Sequence, residues 1–297
     1  MKKTTQEFTH LDKVLWPDDG YTKADLVDYY KNISPIILKY LKNYPSSLYR
    51  TPEGIEGIHF YQKNVEPKSV PDFVETKTIR AKTTEKDINY VVCNNEETLL
   101  YLANIGCIEM HPWSSKVGSL EKPEFMILDI DRGEDASFDD VVTTALEIHK
   151  LLEKINVPNF CKTSGKYGLH IYVPTGAKYS YEKVREFADL IAHKVNEKIP
   201  EIVSLEHFPE KRKNKIHIDI SRNAIGQTVI APYSLRSVPL ASVSTPLEWS
   251  EVKHGLRPIQ FTIKNIFKRI EEKGDLWKDV TKDGVDLEKA EKEIKEK

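Results

Sequence analysis

Residues 125 to 131 read Phe-Met-Ile-Leu-Asp-Ile-Asp, an apolar run that ends in two aspartates two positions apart. The run has the length and composition of a buried strand. On a strand, residues i and i+2 point to the same face, so Asp129 and Asp131 are held side by side. Adjacent like charges repel, and a partly buried carboxylate is costly unless something neutralises it. A divalent cation meets that need: hard ions such as Mg²⁺ and Mn²⁺ take oxygen ligands and keep positions open for water and phosphate. Two aspartates at this spacing also suit an ordinary solvated strand end, so the surrounding segments decide between the two.

From Glu124 onward the pattern is strand, helix, strand, with a helix expected over 138–155 and a strand over 159–163. A second unit follows, a helix over 181–198 leading to a strand over 215–220. Upstream, Leu26, Tyr29, Tyr30, Ile33, Ile36, Ile37 and Tyr40 recur at helical spacing after the potential N-cap Thr22, predicting a helix over 23–42 that Pro35 should kink or split. Short runs at 47–50, 58–62, 77–81 and 89–92, separated by turn residues, read as antiparallel strands; a helix over 96–105 and a strand over 107–110 come next. The acidic and basic residues of 286–297 read as an exposed helix or a fraying tail. These elements predict an α+β fold of two packed lobes, about 1–115 and about 116–280, followed by the charged tail 281–297.

A third acid, Asp219, stands in Lys-Ile-His-Ile-Asp-Ile, another alternating strand, with Lys215 before it and Arg222 after it. Three strand-borne carboxylates suit a two-metal phosphoryl-transfer site, in which the ions activate an attacking hydroxyl and stabilise the leaving oxygens. Between the acids lies Lys-Thr-Ser-Gly-Lys-Tyr-Gly-Leu-His at 162–170. Ser164 and His170 can donate to phosphate, Lys166 adds charge, and Gly165 and Gly168 let backbone N–H groups approach an anion. A hairpin with a satisfied core histidine would show the same letters. Downstream, Ser234 and Arg236 lie two apart in Tyr-Ser-Leu-Arg, and Arg236 can fork onto phosphate.

With 44 Lys and Arg against 46 Asp and Glu, the chain is no uniformly basic DNA-coating protein, and any nucleic-acid site must be local. The basic cluster Lys211, Arg212, Lys213 and Lys215 and the acidic group Glu134, Asp135, Asp139 and Asp140 read as solvated faces. No window approaches the roughly 20 apolar residues of a membrane span, and no apolar leader follows the first lysines, which predicts a cytoplasmic protein without a membrane partner. Cys93, Cys107 and Cys161 form no metal-binding pair and are expected as buried thiols.

The ordered blocks Asp-Ile-Asp at 129–131, Ser-Gly-Lys-Tyr-Gly-Leu-His at 164–170 and His-Ile-Asp at 217–219 resemble the polymerase domain of bacterial ligase D and its stand-alone archaeal relatives, within the archaeo-eukaryotic primase superfamily. Leu-Asp-Lys-Val-Leu-Trp-Pro at 11–17, Phe-Tyr-Gln-Lys at 60–63, His-Pro-Trp at 111–113 and Ser-Thr-Pro-Leu-Glu-Trp at 244–249 extend the likeness from about Leu11 to Gly255. The resemblance implies a primase-type catalytic core, an RRM-like sheet with packed helices, joined to a mixed α/β N-terminal lobe. It implies Mn²⁺-favoured (or Mg²⁺-dependent), template-directed addition of NTP or dNTP substrates at gaps and double-strand-break ends in non-homologous end joining. By the same likeness Asp129, Asp131 and Asp219 would hold the metals, and Ser164, Ser234, His170 and Arg236 the nucleotide. Phe60 or Tyr61 would stack at the site, Lys63 would assist, and Lys13 and Lys23 would grip a DNA 5′-phosphate. No ligase or nuclease segment is evident, so Ku and DNA ligase are expected as separate partner proteins.

One departure stands out. Where the family usually carries a loop lysine directly before the second glycine, this chain has Tyr167, and the lysine stands one position earlier at Lys166. Two other functions share most of these features: a replicative-type primase, and a catalytically silent scaffold that binds DNA ends. The retained triad speaks against the scaffold.

Overall fold

The computed structural model describes residues 7–81, 85–133, 136–206, 212, 214–281 and 284–296. Glu134 and Asp135 of the acidic group, and Lys211 and Lys213 of the basic cluster, lie outside the described residues. A short ribbon of β1 (Val14–Trp16) and β2 (Tyr21–Thr22) leads into helix α1 (Lys23–Ile37). A five-stranded antiparallel sheet follows from β3 (Pro45–Arg50), β4 (Phe60–Gln62), β5 (Glu75–Arg80), β6 (Asp87–Val92) and β7 (Cys107–Pro112), with α2 (Glu96–Asn104) before the last strand. The second sheet uses β8 (Phe125–Asp131), β9 (Phe160–Thr163), β10 (Leu169–Pro174), β11 (Val203–Ser204), β12 (Ile216–Asp219) and β13 (Pro246–Leu247). Their spatial order is β11-β12-β8-β10-β9-β13. Helices α3 (Phe138–Lys154) and α4 (Tyr181–Lys198) cover one face of this sheet, and α5 (Ile266–Lys273) and α6 (Leu287–Lys295) close the chain.

Local chemistry accounts for the boundaries. Thr22 caps α1 through a reciprocal capping box with Asp25, and Ser137 and Asp140 repeat that device at the start of α3. Pro35 lies inside α1 without splitting it. A proline removes the N–H that would bond the carbonyl four residues back; here the Ser34 hydroxyl donates to the Lys31 carbonyl at 2.9 Å instead. The helix then tightens into a 3₁₀ turn over Leu38–Tyr40.

The alternation of β8 divides the core in two. Met126, Leu128 and Ile130 pack with α3 and α4, including Val142, Ile148, Phe187 and Ile191. Phe125 and Ile127 face the other way, into a cluster with Leu26, Tyr30, Leu48 and Met110 from the N-terminal elements. That cluster also takes in Val229, Tyr233, Leu235, Val243 and Trp277, so late segments of the chain pack among early ones. Asp129 and Asp131 continue the Phe125 and Ile127 face beyond the point where it is covered.

The C-terminal segment is a docked helix rather than an exposed or fraying one. Leu287, Ala290 and Ile294 of α6 recur at helical spacing and are buried in the cluster that holds α4, and Glu291 pairs with Lys183 at 2.5 Å. Three small periodic contacts suffice to seat a helix whose other faces are charged. Cys93, Cys107 and Cys161 are free and buried, and burial pushes the Cys93 thiol up to about 12. No helix among the described residues is long and apolar enough to cross a membrane.

Candidate active site

Strand register assembles the site. In the antiparallel pairing of β12 with β8, Asp219 lies opposite Asp129; in the pairing of β8 with β10, Asp129 lies opposite His170; in the β9–β10 hairpin, His170 lies opposite Lys162. Directly opposed residues share a face with Cβ atoms about 5 Å apart. Four ionisable side chains therefore run in one row across four strands, Asp219, Asp129, His170 and Lys162, with Asp131 one step along β8.

A cavity of about 360 Å³ opens over this row, lined among others by Asp129, Asp131, Ser164, His170, Arg222 and Arg236. Tyr61, Lys63, Lys166 and Tyr167 line it as well. Among the described residues no three His, Cys, Asp or Glu side chains converge as a ready metal cluster. Arg222 stands between two of the acids: its Nε donates to Asp129 Oδ2 at 3.1 Å and lies 3.5 Å from Asp219 Oδ2. Asp219, whose other oxygen accepts the Ser221 N–H, does not itself line the cavity.

The charges are uneven. Burial pushes the Asp129 carboxyl up, but His170 and Arg222 beside it outweigh that and hold it well below the usual range. Burial and the charge of Asp129 push the Asp131 carboxyl up to about 7. Asp129 Oδ1 is buried and, although His170 Nε2 is 3.1 Å away, accepts no aligned hydrogen bond. A buried carboxylate oxygen without an aligned donor, beside a second carboxyl whose ionisation is opposed by burial and by its neighbour's charge, is the donor set a hard divalent cation satisfies. On those grounds the residues present fit Mn²⁺ or Mg²⁺.

Lys162 is fully buried; its Nζ lies 2.9 Å from His170 Nδ1 and donates to Ser244 Oγ at 2.6 Å, while the Ser244 hydroxyl donates to the Thr163 carbonyl. Burial and the Arg236 charge lower its pKa, and its Nζ carries protons enough for both acceptors. Burial and Lys162 bring His170 down to about 4. Bonded so at Nδ1, neutral His170 carries its proton on Nε2, an assignment that follows from the network. That N–H faces the Asp129 side of the cavity.

Arg236 is oriented by Glu109 of β7, which also accepts from Ser237 N and Oγ and contacts His111 Nε2 at 2.9 Å. Burial alone would raise the Glu109 carboxyl, but His111 and Arg236 bring it down to about 2. In the 164–168 turn, Ser164 Oγ accepts the N–H groups of Lys166, Tyr167 and Gly168 at 3.2, 3.1 and 2.9 Å. The amides expected to face an anion thus turn inward to the serine, three N–H groups sharing the two lone pairs of one hydroxyl in so tight a turn; the hydroxyl proton of Ser164 remains for an acceptor in the cavity. Gly168 is required by space, since a Cβ there would lie 2.2 Å from the Ile130 carbonyl oxygen and 2.7 Å from Asp131 Oδ1.

Of the sequence-predicted residues, Asp129, Asp131, Ser164, Lys166, His170, Arg236, Tyr61 and Lys63 share the cavity. Phe60, the next residue on β4, is exposed under the Arg50 guanidinium and does not line it. Ser234 also stands outside: it is fully buried, its hydroxyl accepting from Met110 N and lying 3.2 Å from the Tyr30 hydroxyl. Lys13 and Lys23 are neighbours, with the Lys23 N–H donating to the Lys13 carbonyl, and neither lines the cavity. Lys13 pairs with Glu53 at 2.6 Å, and buried Lys23 donates to the Thr9 carbonyl. Sequence reasoning assigned no role to Lys162, Glu109 or His111. A lysine inside Phe-Cys-Lys-Thr was the one visible signal, because an interior strand rarely spends a position on a cation without a partner.

Residues 22–277 match the family model described as LigD, primase-polymerase domain. The chain is 32% identical over 269 residues to the bifunctional non-homologous end joining protein LigD of Bacillus subtilis, covering 90% of this chain and 43% of that protein. It is 30% identical to the multifunctional LigD of Mycolicibacterium smegmatis over 90% of this chain and 35% of the relative, so it spans less than half the length of either. The solved polymerase domain of Mycobacterium tuberculosis ligase D, in complex with DNA, superposes with a TM-score of 0.86 at 27% identity, covering 95% of this chain and all of that one. With the fold, the acidic row and the family model in agreement over most of its length, the chain belongs to the LigD primase-polymerase domain family.

Proposed function

We propose that this chain is a template-directed nucleotidyltransferase of DNA repair, adding ribo- or deoxyribonucleotides to 3′ ends at gaps and breaks during non-homologous end joining. The observation that carries the reading is the register that sets Asp219, Asp129 and His170 in one row beneath a cavity also holding Asp131 and Arg236. Asp129 and Asp131 would hold divalent cations, joined by Asp219 once Arg222 withdraws. When bound, the cations neutralise the acids and activate both the attacking hydroxyl and the phosphate oxygens. The primer's 3′-hydroxyl gives its proton to water and its oxygen attacks the α-phosphorus, breaking the bond to pyrophosphate, which leaves.

The chain's own groups bind and orient. Arg236, fixed by Glu109, presents a fork to the triphosphate; the His170 Nε2–H and the Ser164 hydroxyl add neutral donors; Lys63 and Lys166 add charge at the rim. The half-exposed ring of Tyr61, held edge-on against Tyr49 and His111, offers a stacking surface for a base. The adjacency of Lys13 and Lys23 away from the cavity supports a 5′-phosphate site and so favours gap filling over replicative-type priming. Ku and a DNA ligase activity are the partners this reading requires.

The test is Mn²⁺-dependent extension of a gapped duplex, with and without a downstream 5′-phosphate, comparing NTPs with dNTPs. Asp129→Ala and Asp219→Ala should abolish extension, and the double change Lys13→Ala, Lys23→Ala should remove the preference for the phosphorylated gap. Full activity in either aspartate variant would overturn the mechanism.

A further inference from the structure

Tyr167 stands where its family usually carries a lysine, and the structure shows it in use on the far side of the 164–168 turn. Its ring is 53% exposed. Arg132 Cζ lies 5.7 Å and Lys166 Nζ 5.0 Å from the ring centre. A second cavity of about 360 Å³ opens beside it, lined by Arg132, Lys166, Tyr167 and Arg257 together with the apolar surfaces of Pro258 and Ile259. Lys166 and Tyr167 line both this cavity and the catalytic one, and Arg132 directly follows Asp131.

Among the described residues no acidic side chain pairs with Arg132, Lys166 or Arg257, unlike the surface lysines of α3, α4 and α6. The backbone that carries the ring is fixed. The Tyr167 N–H donates to Ser164 Oγ within the turn, and the Ser242 hydroxyl donates to the Gly165 carbonyl, tying the turn to the body of the protein. An exposed aromatic ring that shares one cavity with three cations and with apolar side chains fits an unpaired base and the phosphates flanking it. Stacking there tolerates any sequence, because every base presents a π-face.

We infer that this cavity is a binding site for an unpaired nucleotide of single-stranded DNA, with Tyr167 stacking on the base and Arg132, Lys166 and Arg257 taking the adjoining phosphates. The site steers a single-stranded tail past the acidic row. The inference rests on the polymerase reading of the neighbouring cavity.

Its test needs neither metal nor nucleotide. Binding of a short fluorescein-labelled oligodeoxythymidylate is followed by anisotropy, and a 5-iodouracil version of the strand is photo-cross-linked and mapped by peptide. Tyr167→Ala should weaken binding by about tenfold, the scale of one lost stacking contact. Tyr167→Phe, which keeps the ring, should bind within about twofold of the parent, and Arg257→Gln should lower the salt dependence of binding. The cross-link should map to the peptide containing Tyr167. Unchanged binding by a folded Tyr167→Ala protein, equal loss in Tyr167→Phe, or a cross-link elsewhere would overturn the site. Gap extension by the unaltered protein separates the two readings: extension with no Tyr167 effect refutes this site alone, whereas no extension refutes the polymerase assignment.

Discussion

Arg222 donates from Nε to Asp129 Oδ2 at 3.1 Å and lies 3.5 Å from Asp219 Oδ2, so one guanidinium bridges the two acids that strand register sets opposite each other. The guanidinium neutralises Asp129 without a metal, and it would have to release Oδ2 for that oxygen to help hold a cation. Arg222→Gln should therefore bind Mn²⁺ about three- to tenfold more tightly than the parent in the absence of nucleotide, since a charge-assisted hydrogen bond no longer competes. Titration calorimetry or the EPR signal of free Mn²⁺ reads this directly. Equal or weaker binding would show that Arg222 does not occupy the cation's place.

The Asp131 carboxyl is pushed up to about 7, above its ordinary value of 3.8. A carboxyl raised by folding favours the folded state least when both states are ionised. The metal-free protein therefore loses stability as pH climbs from the ordinary value, and the loss is complete above about 7. Asp131→Asn removes that term, so its thermal midpoint should exceed the parent's by a margin that widens from pH 4 to pH 8. Mn²⁺ should raise the parent's midpoint more at pH 8 than at pH 5.5, because at the lower pH it must first displace the proton. A pH-independent margin would count against this account.

Glu109 is buried beneath Arg236, and Glu109→Ala strands that guanidinium. Breaking a buried, hydrogen-bonded pair by removing one partner costs about 3 kcal/mol, measurable by urea unfolding. The remaining folded enzyme should show a raised KM for nucleotide, since Arg236 loses its orientation. Because Glu109 titrates at about 2, below its ordinary 4.5, the stabilisation is complete above 4.5 and disappears only as pH falls through 2. A variant with unchanged stability and KM would remove Glu109 from the site.

Gly168→Ala should cost about 1–3 kcal/mol and most of the activity, because the new methyl collides with the backbone of β8 beside Asp131. Gly118→Ala, with open space around the position, is the control and should be close to neutral. Comparable effects at the two positions would mean that the close approach of β10 to β8 is not what the glycine serves.

Most elements were legible in the sequence because their signals are local. Thr22, Asn95, Ser137 and Ser180 each accept a backbone N–H at the start of the helices they precede, and the strands on either side of the Ser164 turn follow its composition. Pro35 leaves the helix unsplit for an equally local reason, a serine beside it whose hydroxyl substitutes for the missing bond. Helix α5 escaped notice and α6 was read as exposed, since each is short, highly charged, and held by a few contacts to distant residues. The inward turn of the loop amides onto Ser164 and the removal of Ser234 and Phe60 from the cavity were likewise invisible, because a side chain's neighbours depend on packing.

What the sequence by itself determined is the pair Asp129 and Asp131: a strand's period of two puts them on one face wherever that strand lies. Tertiary structure alone decided what surrounds them. The order β12-β8-β10-β9 and its register place Asp219, His170 and Lys162 in their row, and a one-residue slip would send every one of those side chains to the opposite face. Long-range packing also brought Glu109 under Arg236 and Arg222 between two acids. Pairings across such sequence distances are set by the shared core, which no local pattern encodes.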